Sequence, residues 1–225
     1  MRQAEDDTDA RDDAALVERW RAGDREACRA LFDRYYAAIA RFFRNKVRDG
    51  DDDLVQICFL RCFEGITRLR AGAAFRAYLF GVACNVLREH YRRGRGEAER
   101  RDLDDRSVRE LAGDGGPWPS AGSWLAAREE HRLLLAALRR LPLSHQILVE
   151  LFYWEGMRVR EIAEVVGAPE GTIKTRLRRG RALLEEALAE LAATPLLLES
   201  TRTDLDRWAQ EIRARLGVED AAADA

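Results

Sequence analysis

Five cations lie within eight residues in the last quarter of the chain and indicate binding to a polyanion. Residues 174–181 contain Lys174, Arg176, Arg178, Arg179 and Arg181 with no acidic residue among them. Arginine side chains pair with guanine edges and with phosphates. Residues 1–13 hold six acidic side chains against two arginines, so the formal net charge of −2 hides segregated charge. The basic segment therefore predicts contact with nucleic acid.

No residue pattern in the sequence points to catalysis. His90, His131 and His145 are scattered, and no Ser-His-Asp, P-loop or HExxH pattern is present. Cys58 and Cys62 share a helical face at i, i+4, which admits a metal or redox role. Reduced thiols packed in a core are the favoured interpretation. We therefore expect a binding protein that is not an enzyme, with no metal and no cofactor.

The composition favours small folded domains without a membrane segment. Of 225 residues, 47% are hydrophobic and only five are proline. No apolar run approaches the ~18 residues of a membrane span, and the acidic N-terminus is unlike a secretory signal. We expect a cytoplasmic protein that makes no membrane contact.

Apolar residues in the first part of the chain recur at helical spacing. A short helix is predicted to end at Gly23, and Asp24 can cap a longer one. A third helix follows the cluster Asp51-Asp52-Asp53, whose charge suits a helix N-terminus. A fourth helix runs over about 75–93. No segment alternates with period two for long enough to predict a sheet.

The segment from Arg160 to Leu184 has the layout of a helix-turn-helix. A short helix over 161–166 stops at Gly167, and Pro169 opens a second helix. The inward face of this second helix carries Ile173, Leu177 and Leu184. Its outward face carries Thr172, Thr175, Arg176 and Arg179. A helix of this kind can lie in the DNA major groove and read base edges.

These patterns together predict an all-α protein of two small helical domains joined by a flexible linker. Glycine and proline cluster within 94–124 without helical periodicity. After the linker, Pro142 interrupts the apolar pattern and Ser144 can cap a helix. A short C-terminal helical extension is indicated by one apolar face, formed by Leu205, Trp208, Ile212 and Leu216. The predicted segments are an acidic disordered N-terminus at 1–13, a first domain at 14–93, the linker at 94–124, a second domain at 125–192 and the extension at 193–225.

Two stretches of the sequence carry motifs that occur together in one known family. The first stretch comprises residues 53–56, 59–61 and 75–85. The second comprises Leu141-Pro142, Glu155-Gly156, Glu161-Ile162-Ala163 and residues 167–177. In this order and separated by a linker, they resemble the bacterial sigma-70 family of RNA polymerase subunits, in its small extracytoplasmic-function (ECF) group. The resemblance covers about 14–93 and 125–190.

The resemblance implies a sigma factor that binds core RNA polymerase and directs promoter-specific transcription initiation. Its implied partners are the polymerase clamp coiled coil and flap, promoter DNA and an anti-sigma factor. The implied polymerase contacts are Asp52, Asp53, Leu54, Gln56 and Arg61. The implied contacts to the minus-ten element are Arg68, Arg70, Gly72, Asn85, Arg88 and Arg92. The implied contacts to the minus-thirty-five element are Glu170, Thr172, Lys174, Thr175, Arg176, Arg178 and Arg179.

One departure from the family pattern lies in the predicted minus-ten helix. Gly81 stands where the family commonly has an arginine, on the same polar stripe as Asn85, Arg88 and Arg92. These four positions follow one another at helical spacing, opposite the apolar stripe. The stripe is predicted to face the DNA backbone.

Two other interpretations stay open at the level of the sequence. A free-standing helix-turn-helix regulator with a helical dimerisation or ligand domain would bind duplex DNA tightly by itself. A helical adaptor without DNA contact would bind its partner with an affinity that does not depend on salt. The basic segment at 174–181 argues against the adaptor.

Overall fold

The computed structural model describes the backbone of residues 2–68, 74–93, 103–113 and 129–203, and their side chains except at 2–11, 68 and 200–203. Within these ranges the chain forms ten α-helices, and the described residues contain no β-strand. A single bridge pairs Ser107 with Pro142. The predicted all-α class is confirmed.

The helices of residues 2–93, called the first half below, pack into one bundle. They are α1 (Arg2–Arg21), α2 (Arg25–Arg44), α3 (Asp51–Gly65), a 3-10 turn (Ile66–Arg68) and α4 (Phe75–Arg92). Gly23 adopts φ 95° between α1 and α2. Asp24 caps α2, since its Oδ1 accepts from the backbone N–H groups of Glu26 and Ala27 at 2.9 and 3.2 Å. Both local predictions at this turn are confirmed.

The N-terminal segment differs from the predicted disorder at 1–13. Helix α1 begins at Arg2, and Asp13 is only 3% exposed. The Asp13 carboxylate accepts hydrogen bonds from Arg34 and from the Tyr35 hydroxyl, both on α2. The last residue of this acidic run, Asp13, therefore holds α1 against α2. Charge composition alone cannot reveal that Asp13 pairs with Arg34 and Tyr35.

Residues 129–203, called the second half below, form five helices. They are α6 (Glu129–Leu138), α7 (Leu143–Tyr153), α8 (Val159–Val166), α9 (Glu170–Leu191) and α10 (Pro195–Thr203). The predicted cap at Ser144 is wrong, because α7 begins at Leu143 and Pro142, two residues before Ser144, is in the cap position. Helix α10 belongs to the predicted extension. The extension's apolar face, at Leu205, Trp208, Ile212 and Leu216, lies outside the described residues.

Part of the predicted linker is folded. Within 94–124, Leu103–Asp105 form a 3-10 turn and Val108–Ala112 form α5. Ser107 caps α5, with its Oγ accepting from the Glu110 N–H at 3.2 Å and its own N–H donating to Glu110 Oε2 at 2.8 Å. Leu103, Val108 and Leu111 are buried. The prediction of a flexible linker therefore fails over 103–113, and residues 94–102 and 114–124 lie outside the described residues.

One hydrophobic core runs through both halves. It joins apolar residues of α1–α4, of the folded linker residues and of α7 and α8, for example Phe80, Val108, Leu143 and Ile162. A second cluster holds α6, α7 and α9 together. This shared core differs from the predicted arrangement of two small helical domains joined by a flexible linker, because α4 buries one side against α8 of the other half.

Candidate nucleic-acid interface

Helices α8 and α9 form the predicted helix-turn-helix. Helix α8 opens with the Arg158 N–H donating to Glu161 Oε2 at 2.8 Å. It closes at Gly167, whose φ of 67° lies in the left-handed region that glycine adopts without strain. Helix α9 starts at Glu170, directly after Pro169. Residues 167–169 thus form the tight turn that separates α8 from α9.

The inward face of α9 agrees with the prediction. Ile173 and Leu184 are buried, and Leu177 is half-buried against the shared core. Gly180 completes this face, because a Cβ there would lie 3.0 Å from Val149 Cγ2 and 3.6 Å from His145 Cβ on α7. Sequence reasoning missed Gly180, although its spacing from Ile173 and Leu184 places it on the inward side.

The outward face of α9 presents its cations to solvent. The predicted contact residues Glu170, Lys174, Thr175, Arg176, Arg178 and Arg179 are exposed, and Thr172 is half-buried. Arg179 Nη1 lies 3.9 Å from Glu186 Oε1, with both side chains about 60% exposed. Exposed ion pairs of this kind contribute about 0–1 kcal/mol. Phosphate oxygens can therefore replace the glutamate at little cost.

His145 lies beside this basic face. Its ring packs on α9 at Gly180, and its Nδ1 lies 3.4 Å from Ser144 Oγ. Burial lowers the pKa of His145, and the charges of Arg176 and Arg179 lower it further, against a smaller opposite effect of Asp105. The imidazole thus favours its neutral form next to the outward arginines.

The predicted minus-ten residues of α4 fall into two groups. Asn85 and Arg92 are exposed. Arg88 is mostly covered, and its Nε donates to Asp104 Oδ1 of the folded linker at 3.0 Å. Gly81 faces α8, where a Cβ would lie 3.6 Å from the carbonyl oxygen of Val165. The side chain of Arg68, together with Arg70 and Gly72, lies outside the described residues.

The predicted polymerase contacts of α3 also fall into two groups, one exposed and one held by contacts within the protein. Asp52, Asp53 and Gln56 are exposed. Leu54 is 4% exposed and packs in the core, so it cannot contact a partner in this conformation. Arg61 makes two hydrogen bonds to the Glu89 carboxylate of α4, at 2.7 and 2.6 Å.

Helix α3 also exposes two large apolar side chains that sequence reasoning did not select as site residues. Leu60 is 54% exposed and Phe63 is 42% exposed. With Asp52 and Gln56 they follow a spacing of four, four and three, so the four residues form one surface stripe. This spacing is the feature of the sequence that could have identified the stripe. Exposed leucine and phenylalanine on a stripe with polar ends are typical of a protein-binding surface.

The cysteines lie in the interior of the first half. Cys58, Cys62 and Cys84 are buried, Cys28 is half-buried, and none of the four forms a disulfide. Burial raises the pKa of Cys62 to about 12 and that of Cys84 to about 11. Thiols with such pKa values are poor nucleophiles. Their place in the core agrees with the favoured interpretation from the sequence.

Comparisons with known proteins place the two halves in one family. Residues 31–97 match the family model "Sigma-70 region 2", and residues 131–184 match "Sigma-70, region 4". The ECF RNA polymerase sigma-E factor of Haemophilus influenzae is 25% identical over 182 residues, which span 80% of this chain and 96% of that protein. The protein of the same name from Escherichia coli K12 is 24% identical over 182 residues, which span 80% of this chain and 95% of that protein.

A solved structure is similar in fold. CnrH, determined in complex with the cytosolic domain of CnrY, aligns with a TM-score of 0.59 at 23% identity, covering 80% of this chain and 99% of that chain. A helix-turn-helix half joined to a helical bundle, each matching its own sigma region, defines a transcription initiation factor. The chain belongs to the ECF group of the sigma-70 family.

The activity follows from this membership. A sigma factor binds core RNA polymerase and promoter DNA and directs transcription initiation, and this family is not catalytic. The free-standing regulator is not favoured, because the first half matches sigma region 2. In the part of the chain that the structure describes, every helix is too short or too polar to cross a membrane.

Proposed function

We propose that α9 lies in the major groove of the minus-thirty-five element. The observation that carries the proposal is the exposed basic face of α9, which lies opposite the buried Ile173 and Leu184. Arg176 is exposed on this face, and Arg179 lies about one turn later. Both can donate to guanine O6 and N7, while Lys174 and Arg178 on the flanks contact phosphates. The second half would lie beside the polymerase flap.

The first half docks on the polymerase clamp coiled coil through α3. The stripe formed by Asp52, Gln56, Leu60 and Phe63 combines an acidic end with exposed apolar side chains. An apolar centre with a polar rim is the usual composition of a protein interface. When the clamp binds, it covers the exposed apolar surface of Leu60 and Phe63 and removes that surface from water. This burial gives the interaction its driving force.

The minus-ten element is contacted by α4 and by the residues before it. Asn85 and Arg92 are exposed on α4, and Arg88 becomes available when it leaves Asp104. Arg68, Arg70 and Gly72 precede α4 in the sequence and supply two further cations and a position for close backbone approach. The protein acts in the cytoplasm, and an anti-sigma factor is its further partner.

Run-off transcription with purified core polymerase tests this function. A library of genomic fragments should yield defined transcripts only when the chain is present. The double variant Arg176→Ala/Arg179→Ala should lose these transcripts, whereas the exposed Arg132→Ala on α6 should retain them. Tight binding of the free chain to the same duplex promoter, unchanged by polymerase, would instead support a free-standing regulator.

A further inference from the structure

An arginine of α1 holds the end of α3. Arg21 Nε and Nη2 each donate to the carbonyl oxygen of Ile66 at 3.3 Å, across 45 residues of sequence. Its third nitrogen, Nη1, donates to Glu18 Oε1 at 2.7 Å, which orients the guanidinium group on its own helix. Ile66 caps α3, and the last turn of α3 has no cation of its own. Arg21 therefore supplies the donors and the positive charge that a helix C-terminus favours.

Gly65, the last residue of α3, lies directly against the first turn of α4. A Cβ at Gly65 would overlap the hydroxyl oxygen of Tyr78 and would lie 3.4 Å from Tyr78 Cζ. Gly65 is part of α3 and does not have a positive φ, so glycine is needed here for space and not for its backbone freedom. The Tyr78 side chain therefore packs on the backbone at the point where α3 ends.

Trp20, the neighbour of Arg21, packs against the helices on both sides of the 3-10 turn Ile66–Arg68. Its ring meets Phe63 of α3 edge to face, with centroids 5.1 Å apart, and Phe75 of α4 with centroids 6.3 Å apart. Edge-to-face geometry is a favoured arrangement of aromatic pairs. The arginine, tyrosine and tryptophan contacts therefore fix the position of this turn from three directions.

We propose that Arg21 is a positioning residue for minus-ten recognition, acting through the Ile66 carbonyl, and that Tyr78 packed on Gly65 is the second support of the same turn. This proposal rests on the proposed function, in which Arg68 and the residues that follow it contact the minus-ten element. Arg68 ends the 3-10 turn that begins at Ile66. The held carbonyl is therefore within ~8 Å of chain from the first of these contacts. Neither Arg21 nor Tyr78 needs to touch DNA for this role.

A positioning role and a purely stabilising role differ in what a substitution changes. Hydrogen bonds to base edges weaken steeply when their geometry is disturbed, so displacement of the turn reduces discrimination between bases in molecules that are still folded. A residue that only stabilised α1 would lower the free energy of unfolding on substitution and would leave the base preference of folded molecules unchanged. Base preference at the minus-ten element is therefore the measurement that separates the two roles.

Promoter selection by mutant holoenzymes tests the role of Arg21. Transcription from promoters randomised at both elements, each linked to a transcribed barcode, gives the preference at every base position. In Arg21→Ala the preference for the best over the worst base should fall at least about tenfold at one or more minus-ten positions. Preference at the minus-thirty-five element should stay at the wild-type value. Arg29→Ala is the matched control, since Arg29 is exposed and pairs with Asp33 on the same helix.

A compensating pair of substitutions tests the second support. Gly65→Ala should reduce the same minus-ten preference, because its methyl group overlaps the Tyr78 hydroxyl and displaces the turn. The double variant Gly65→Ala/Tyr78→Phe should return to the preference of Tyr78→Phe alone, since the nearest ring carbon is then 3.4 Å away, close to an ordinary contact distance. Circular dichroism and urea unfolding check that each variant is folded. If Arg21→Ala does not fold, the Gly65 series decides the outcome.

The possible outcomes distinguish this proposal from the proposed function. Wild-type minus-ten preference in folded Arg21→Ala, or failure of the double variant to recover, would overturn the proposal and leave the proposed function intact. Equal loss of preference at both promoter elements would indicate a general loss of structure and would also overturn it. A wild-type holoenzyme without any minus-ten preference would contradict the proposed function and this proposal together.

Discussion

At the scale of the residue, the outward cations of α9 are expected to differ in what they recognise. Arg176→Ala should cost about 1–3 kcal/mol of promoter affinity and relax preference at one base position, because it removes a guanine-reading fork. Lys174→Ala should weaken all sequences equally and reduce the salt slope by about one unit, because it removes one phosphate contact. Selection from randomised minus-thirty-five sequences by each mutant holoenzyme measures both effects.

The same selection can contradict this assignment. Unchanged base preferences in both Arg176→Ala and Arg179→Ala holoenzymes would exclude α9 from the major groove. Arg132→Ala, on the exposed side of α6, serves as the control for a general loss of positive charge.

His145 predicts a pH dependence of stability. Its pKa in the folded protein lies below the ordinary 6.5, chiefly through burial and then through Arg176 and Arg179. As pH falls below about 6.5, the unfolded chain binds a proton that the folded chain does not, so the free energy of unfolding decreases. The stability that comes from keeping His145 neutral is fully present above pH 6.5. It is lost as the pH falls through the pKa that His145 has in the folded protein.

Urea unfolding between pH 5 and 7.5 measures the effect. The slope of unfolding free energy against pH should be smaller in His145→Gln than in the wild type, because the variant lacks the group that takes up the proton. Identical slopes in the two proteins would mean that His145 has the same pKa in both states.

Single residues also show where sequence reasoning reaches its limit. The outward and inward positions on α9 follow from helical spacing, and the structure confirms Ile173 and Leu184 as buried. Glu150 and Glu155 carry no such signal, since their burial depends on cations more than 100 residues earlier in the chain. Leu54 was assigned by resemblance to a binding helix, and only the packing of that helix reveals that it faces the core.

At the scale of the element, the seating of α9 depends on its buried residues. Ile173→Ala should reduce the free energy of unfolding by about 2–5 kcal/mol, since Ile173 is fully buried. Leu177→Ala should cost less, because Leu177 is half-buried. Both should weaken base reading and phosphate contact together. Denaturant unfolding orders the two variants, and a larger loss for Leu177→Ala would contradict the described packing.

Helix α3 gives a second prediction at this scale. Leu60→Ser/Phe63→Ser should weaken assembly with core polymerase while leaving the free energy of unfolding nearly unchanged, because both side chains are already exposed. Leu54→Ala is the matched control, expected to lower stability by about 2–5 kcal/mol through a core cavity. Co-purification with core polymerase measures assembly. Equal retention of the serine variant and the wild type would remove this stripe from the interface.

The ends of helices were predictable from the sequence where the signal lies in the few residues at the helix end itself. Asp24 and Gly167 mark helix ends through the side-chain cap and the left-handed turn that the structure contains. Residues 103–113 carry one local signal, the capping box of Ser107 and Glu110, but a five-residue helix is too short to show a period. Their order comes from burial of Leu103, Val108 and Leu111 between the halves, which is a property of the tertiary structure.

At the scale of the whole molecule, the continuous core determines what happens when the linker is cut. Glycine and proline at 113–119 make this segment the expected site of first cleavage by a protease at low concentration. The resulting fragments should remain associated in gel filtration, because α4 and α8 bury apolar side chains against each other and Arg41 stays paired with Glu155. The same cleavage of Glu155→Arg should release two separate fragments. Cleaved wild-type fragments that separate at once, while each retains its helix content, would show that the halves fold independently and that the contacts between them are too weak to hold them together.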